Sequence, residues 1–158
     1  MEGYDVAQIC INGHVITSMA ITSPNFRQEY CKKCGSKTIM NCSNCQKPIK
    51  GYYHVSGVIG TFKYHAPKFC DSCGQPFPWI GTKIETSKEL IELVETISIE
   101  EKEDFQESIV ELIKETVKVP VAKVKVKKYL DKIDKEISDS IRDVLKDILN
   151  KELKNDVL

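Results

Sequence analysis

Seven cysteines and one histidine form four close pairs, and this spacing constrains the fold more than any other feature of the chain. Tetrahedral zinc is held by four cysteine or histidine side chains, and a closed site of four protein ligands is structural. Eight ligands therefore predict two structural Zn²⁺ ions per chain. The predicted ligands are Cys10, His14, Cys31, Cys34, Cys42, Cys45, Cys70 and Cys73.

Metal binding accounts for these cysteines better than disulfide bonds do. The opening segment MEGYDVAQIC lacks the basic and apolar regions of a signal peptide, and no apolar run is long enough to cross a bilayer. These features predict a cytoplasmic protein that does not associate with membranes. Thiols stay reduced in that compartment, and seven cysteines cannot all pair.

The partition of the eight ligands between two ions has two solutions. In the sequential solution, the first two pairs bind one ion across a 16-residue loop and the last two pairs bind the other across a 24-residue loop. In the interleaved solution, the first pair joins the third and the second joins the fourth, as in cross-braced RING domains. The spacing favours the sequential solution and leaves the other open.

Turn residues accompany three of the four pairs. Gly35 and Gly74 directly follow their cysteine pairs, where a positive φ would fold backbone N–H groups onto the sulfurs. Asn12-Gly13 predicts a tight turn between Cys10 and His14, so that thiol and imidazole face one ion. These segments are predicted to be zinc knuckles.

The composition of the chain changes near residue 84. All eight glycines and all seven cysteines lie before that position, whereas residues 85–158 carry 33 of the 46 charged residues. We predict an α+β protein with tandem zinc ribbons, built from short β-hairpins with zinc knuckles, in residues 1–84. A charged amphipathic α-helical bundle is predicted for residues 85–158.

The first two helices of this second part are predicted from capping boxes. Thr86-x-x-Glu89 and Ser98-x-x-Glu101 each open an apolar series at helical spacing. Because the residue before a proline avoids the α region, Val119-Pro120 is predicted to end the second helix. Pro120 itself suits the first turn of the next helix.

Apolar residues then recur at three- and four-residue steps from Val126 to Leu149. They predict one long helix, or two helices broken near Asp131. This apolar stripe must be buried against other residues, either those of the rest of the bundle or those of the same helices in a second copy. Self-association through the C-terminal helices therefore stays open.

Three conspicuous residues receive structural interpretations. His54 and His65 are expected to be partly exposed histidines of the long loop, because no cysteine lacks a ligand partner. Trp79 stands among prolines and glycines in GQPFPWIGT, and we expect a rigid extended segment that packs at the junction with the helical part.

The motifs CINGH, YCKKCG, CSNCQKPIKG and FCDSCGQPFPW, followed by a charged helical tail, resemble the bacterial family catalogued as domain of unknown function 2321. The resemblance covers nearly the whole chain and is most specific in the first 84 residues. It implies a bacterial protein with a zinc-ribbon head and no assigned activity, and it names no substrate.

Among three classes of function, the sequence favours a zinc-binding adaptor that uses structural zinc to support a protein-binding surface. A nucleic-acid-binding ribbon is the alternative; its phosphate and base contacts would be Arg27, Lys32, Lys33, Lys37, Lys47, Lys50, Tyr52 and Tyr53. Catalysis is not expected, because acids are sparse near the cysteines and no nucleophile elbow or P-loop is present. Four thiolates could also hold iron.

Charge decides between the first two classes. Residues 1–84 hold nine Lys or Arg and four Asp or Glu, a formal +5, while residues 85–158 hold fourteen against nineteen, a formal −5. Zinc-bound thiolates add −1 for a three-cysteine site and −2 for a four-cysteine site, which leaves about +2 on the first part. A protein partner, of unknown identity, is therefore favoured over a polyanion.

Overall fold

The computed structural model describes residues 2–60 and 62–158, and the chain divides into two compact units, Met1–Gly81 and Thr82–Leu158. Within the described residues, short antiparallel strands come first and five α-helices follow from Pro78 onward. The predicted α+β class, with hairpins that carry cysteine clusters before a helical part, is confirmed. The division falls inside the first helix.

Two small sheets form the scaffold of the first unit. The strands are β1 (Gly3–Val6), β2 (Gln8–Cys10), β3 (Val15–Thr17), β4 (Thr38–Ile39) and β5 (Lys50–His54). One sheet pairs β1 with β5, and the other has the antiparallel order β3-β2-β4. A 3₁₀ turn, Pro24–Phe26, lies between β3 and β4.

A buried carboxylate ties the first strand to the chain beyond β3. Asp5 Oδ1 accepts hydrogen bonds from the N–H groups of Val6 (2.6 Å) and Ile21 (2.9 Å), and Oδ2 accepts from the Thr22 N–H and hydroxyl. His54 Nε2 lies 3.2 Å from the same Oδ2. Burial alone would raise the pKa of Asp5, but hydrogen bonds from Thr22, Ile21 and Val6 outweigh it and hold that pKa well below its usual range.

The second unit is a helical bundle with an apolar core. The helices are α1 (Pro78–Glu92), α2 (Ile99–Lys114), α3 (Val119–Lys132), α4 (Lys135–Lys146) and α5 (Lys151–Val157). Helix α2 packs against α3, which also contacts α4 and α5. The Phe105 ring stacks on Tyr129 with centroids 4.9 Å apart, and Ile91, Leu112 and Ile141 are fully buried.

One of the two predicted capping boxes is present. The Ser98 hydroxyl accepts from the Glu101 N–H, and the Glu101 carboxylate accepts from the Ser98 N–H, as predicted. The prediction of a capping box at Thr86 is wrong, because α1 already begins at Pro78 and Thr86 lies in its interior. There the Thr86 hydroxyl donates to the Thr82 carbonyl instead. Proline at the first helical position has no N–H that would need an acceptor, so it suits the start of α1, which lies nine residues before the start that the box predicted.

The end of α2 also differs from its prediction. The helix stops at Lys114, where Glu115 adopts a left-handed φ of 53° and its N–H donates to the carbonyls of Glu111 and Leu112. Such a cap ends a helix without proline. Pro120 lies in the first turn of α3, as predicted.

The apolar stripe beyond residue 126 is divided between helices. Helix α3 ends at Lys132 and α4 begins at Lys135, so the predicted alternative with a break near Asp131 is the correct one. Helix α5 was not predicted. Its signal is Asn150, whose side chain accepts from the Leu153 N–H as an N-cap.

We expect Ser98→Ala to lower the stability of the helical unit by about 1 kcal/mol, because it removes a helix N-cap. Denaturant unfolding of the full chain, followed by circular dichroism, measures this loss. Thr86→Ala is the matched control and should leave stability unchanged or slightly higher, since alanine is the better residue inside a helix. Equal losses in both variants would contradict this assignment of the caps.

Candidate metal centres

Eight side chains gather in two groups of four, and within each group the ligand atoms lie within 4.8 Å of one another. The grouping is the sequential one, and the interleaved pairing does not occur. Site 1 consists of Cys10, His14, Cys31 and Cys34, and site 2 of Cys42, Cys45, Cys70 and Cys73.

The distances in site 1 fit a tetrahedral metal ion. Metal–sulfur and metal–nitrogen bonds typical of zinc imply a sulfur–sulfur edge of about 3.8 Å and a sulfur–nitrogen edge of about 3.6 Å. The Cys10 and Cys34 sulfurs are 3.8 Å apart. His14 Nδ1 lies 3.4 Å from the Cys10 sulfur and 3.6 Å from the Cys31 sulfur. The imidazole therefore presents Nδ1 as the fourth ligand atom.

Site 2 has the same dimensions with four sulfurs. The sulfur–sulfur distance is 3.8 Å between Cys42 and Cys73 and 3.7 Å between Cys45 and Cys70. A disulfide bond would bring two sulfurs to about 2.05 Å. The four sulfurs thus lie at the corners of a tetrahedron and could hold a metal ion.

The second and fourth pairs share one hairpin geometry. The Cys31 N–H donates to the Ser36 carbonyl, and the Gly35 N–H donates back to the Cys31 carbonyl. Cys70 has the equivalent bonds with Gln75 and Gly74. The φ angles of the two glycines are 69° and 72°, which confirms the predicted left-handed turns.

The third pair forms the same hairpin without a glycine. The Cys42 N–H donates to the Lys47 carbonyl, and the Gln46 N–H donates to the Cys42 carbonyl. Gln46 stands where the other knuckles have glycine, with a φ of 62°. A side chain in the left-handed region costs roughly 1–2 kcal/mol, so this knuckle is strained.

The first pair forms a shorter hairpin. The Cys10 N–H bonds to the carbonyl of His14, four residues on, whereas the other knuckles span five. Gly13 has a φ of 88°, as the predicted Asn12-Gly13 turn requires, and a Cβ there would lie 3.0 Å from the Trp79 Cβ. The ligand moves one residue along the chain, where a longer imidazole replaces the thiol.

Trp79 supports this first knuckle from within the first unit. Its ring stacks on Phe77 with centroids 4.8 Å apart, and its Nε1–H donates to the Pro67 carbonyl (2.8 Å). The side chain is buried. The prediction of an extended segment is wrong, because Trp79 lies in the first turn of α1.

Two asparagines, Asn12 and Asn44, donate to a sulfur on the opposite knuckle of their site, a role that the sequence analysis did not predict. Asn12 Nδ2 lies 3.5 Å from the Cys34 sulfur and 2.9 Å from the Ser36 hydroxyl oxygen. The Asn44 side chain donates in the same way to Cys73. Each asparagine is two residues after the first ligand of its knuckle, so the repeated C-x-N was the signal.

Hydrogen-bond donors, including these two asparagines, lower the pKa values of Cys34 and Cys73. The Ser36 hydroxyl, the Asn12 amide and the Ser36 N–H lower the pKa of Cys34 to about 5. The Gln75 N–H and the Asn44 side chain lower the pKa of Cys73 to about 7. Thiolate is the form that binds metal.

Crowding and burial act on other thiols in the opposite direction. Burial raises the pKa of Cys10. The Lys47 N–H acts to lower the pKa of Cys45, but burial and the nearby thiols of Cys70 and Cys73 together raise it to about 11. Four thiolates in one cluster require a cation between them, and a bound metal ion supplies that charge.

The remaining histidines and basic residues lie outside both clusters. His54 contacts Asp5 and is half-buried, and His65 is exposed. Lys32, Lys33, Lys37 and Lys47 are exposed. Lys50 pairs with Asp71 at 2.6 Å, and Arg27 Nε donates to the Ala20 carbonyl, so two of the predicted phosphate contacts already have partners.

The ribbon hairpins and the two clusters define a protein with tandem ribbons that could hold two metal ions. Residues 3–157 match the family described as "Uncharacterized protein conserved in bacteria (DUF2321)", and the chain belongs to this family. Comparison with curated proteins and with solved structures found no match. In the described part of the chain, no helix has the length and apolar character needed to cross a membrane.

We expect Gln46→Gly to raise the stability of the first unit by about 1 kcal/mol, because glycine adopts the positive φ of this turn without a steric cost. Thermal unfolding of the metal-loaded chain measures the gain. Gln75→Gly is the control. Gln75 does not have a positive φ, so glycine there should be neutral or destabilising. A loss of stability in Gln46→Gly would contradict the backbone strain inferred at Gln46.

Proposed function

We propose that this chain is a non-catalytic adaptor in which two structural zinc ions stabilise a ribbon unit that binds a protein partner in the cytoplasm. The observation that carries the proposal is the closed composition of both clusters, four ligands each from this chain. A hydrolytic zinc site keeps one position for water or substrate and places a base beside it. Neither cluster includes a carboxylate.

Zinc is the metal that the ligands favour. Three thiolates with one imidazole, and four thiolates, are both frequent structural zinc sets. A four-thiolate site also accepts iron, so site 2 has iron as its alternative occupant. Elemental analysis separates the two metals directly.

Support for a protein partner comes from exposed apolar residues on the first unit. Tyr4 and Tyr53 are directly opposite on β1 and β5, with ring centroids 4.8 Å apart, and both rings are about half exposed. Ile59 and Phe62 are also largely exposed. Aromatic residues are enriched at protein interfaces relative to the rest of the surface.

Nucleic-acid binding is the second candidate. The observation in its favour is the exposed tyrosine pair beside Lys50, whose ammonium lies 4.9 Å from the Tyr4 ring centroid. The same ammonium is paired with Asp71, which reduces its attraction for phosphate. With about +2 on the first part after thiolate correction, we rank this function below protein binding.

We expect Cys31→Ser and Cys70→Ser each to lose one metal equivalent and to unfold the first unit while the second stays helical. Structural zinc contributes roughly 10–16 kcal/mol in small peptides, which exceeds the stability of many domains. Elemental analysis and circular dichroism measure both effects. Ser43→Ala, at an exposed knuckle position that supplies no ligand, is the control. Unchanged metal content in both cysteine variants would disprove the metal assignment.

We expect the intact, metal-loaded chain to bind a discrete protein from bacterial lysate, and the purified pair to bind at moderate salt. The variant Tyr53→Ser should weaken that binding several-fold without loss of metal, whereas Lys33→Ser, also exposed, should not. Calorimetry on the purified pair is the measurement.

A salt titration of binding to single- and double-stranded DNA and RNA distinguishes the two functions. Retention that weakens steeply with salt would replace the adaptor proposal with nucleic-acid binding.

Self-association through the C-terminal helices is a further proposal. Its support is the exposure of Val121 and Val124 in α3 and of Val117 just before it. The molecular mass of the purified chain in solution tests it.

A further inference from the structure

We infer that Cys34 is a modification site at which soft electrophiles open site 1, and that the Asn12 side chain protects the Cys34 sulfur by capping it. The inference rests on the proposed function, because it requires metal in site 1. It follows from differences in access and hydrogen bonding among the ligand sulfurs.

Access singles out Cys34. All seven cysteines lie in the described part of the chain, and Cys34 alone among them is exposed. The first cysteine of each pair is at most 5% exposed, and Cys45 and Cys73 are half-buried. An electrophilic carbon must reach a sulfur lone pair to form a bond, so we expect the exposed cysteine residue to react before the buried and half-buried ones.

The charge of the two sites favours reaction at site 2 rather than at Cys34, but we expect it to matter less than exposure. Site 2 with four thiolates carries −2 and site 1 carries −1, so the sulfurs of site 2 are intrinsically the better nucleophiles. That advantage requires a clear path for the reagent. At Cys42 and Cys70 burial closes the path, and at Cys45 and Cys73 it is partly closed.

Asn12 donates to the Cys34 sulfur in addition to the Ser36 hydroxyl and N–H. Its amide lies on the opposite knuckle of the site and donates to both the Cys34 sulfur and the Ser36 hydroxyl oxygen. A sulfur that accepts a hydrogen bond has less electron density to give to an electrophile. Asn44 is the equivalent donor to Cys73 in site 2.

The chemistry balances without an oxidant. With a maleimide or another α,β-unsaturated carbonyl compound, the Cys34 sulfur forms a bond to the β-carbon, and the α-carbon takes a proton from water, which leaves hydroxide for the buffer to neutralise. The thiolate becomes a neutral thioether, its bond to the metal breaks, and only Cys10, His14 and Cys31 remain as ligands. Loss of the fourth ligand releases the metal and removes the support of the first two knuckles.

The experiment uses the full, zinc-loaded chain with a limiting amount of N-ethylmaleimide. Peptide mass mapping identifies the first adduct, and an absorbing chelator reports zinc release. We expect the first adduct on Cys34, with one zinc equivalent released at the same rate.

Two variants test the cap. Asn12→Ala should accelerate the Cys34 adduct by about 3- to 10-fold, the effect of one lost hydrogen bond. Asn12→Asp preserves the turn-forming side chain without its N–H donors and should also react faster. Asn44→Ala is the matched control and should leave the Cys34 rate unchanged. Zinc content and circular dichroism before the reagent is added show that each variant is folded.

The outcomes separate this inference from the proposed function. A first adduct on another cysteine, or a Cys34 adduct that leaves both zinc ions bound, overturns the modification site. Unchanged rates in both Asn12 variants overturn the cap. A chain prepared without metal in site 1 overturns the proposed function itself, which the elemental analysis reveals before any reagent is added.

Discussion

The first unit depends on two tetrahedral clusters that draw distant segments of chain to one point. Site 1 joins Cys10 to Cys34, 24 residues apart, and site 2 joins Cys42 to Cys73, 31 residues apart. The strands around them have only two to five residues, too few to hold such loops closed by hydrogen bonds alone. A metal ion bound by the four ligands of each cluster would offset the entropy of closing its loop, and it would supply the stability that the short strands do not.

The two sites follow one plan with informative departures. Each combines a knuckle that carries a cross-site asparagine with a knuckle that ends in glycine. At site 1 the asparagine knuckle is one residue shorter and uses His14, and at site 2 the equivalent knuckle accepts Gln46 in a left-handed turn. These departures make the sites unequal in charge, exposure and strain, and the proposed sensitivity of Cys34 is one consequence.

The second unit is stabilised by different means. Its core of buried aliphatic residues and the Phe105–Tyr129 stack provides the apolar burial, and helix ends are satisfied by Ser98, Asn150 and the left-handed Glu115. No cysteine lies in this unit. Loss of metal should therefore act on the two units unequally.

Local spacing in the sequence was enough to determine the two-part organisation of hairpins and helices, the knuckles with their turns and the cap at Ser98, because each depends on residues a few positions apart. The sequential grouping, the contacts of Trp79 with Gly13 and Pro67, the buried Asp5 network and the hydrogen bonds from Asn12 and Asn44 to sulfur were decided only by tertiary structure. In each of these, the partners are distant in the chain and close in space, as Asn12 and Cys34 are. Periodicity and spacing report on contacts along the chain, whereas a contact across 22 residues depends on how every intervening turn directs the backbone.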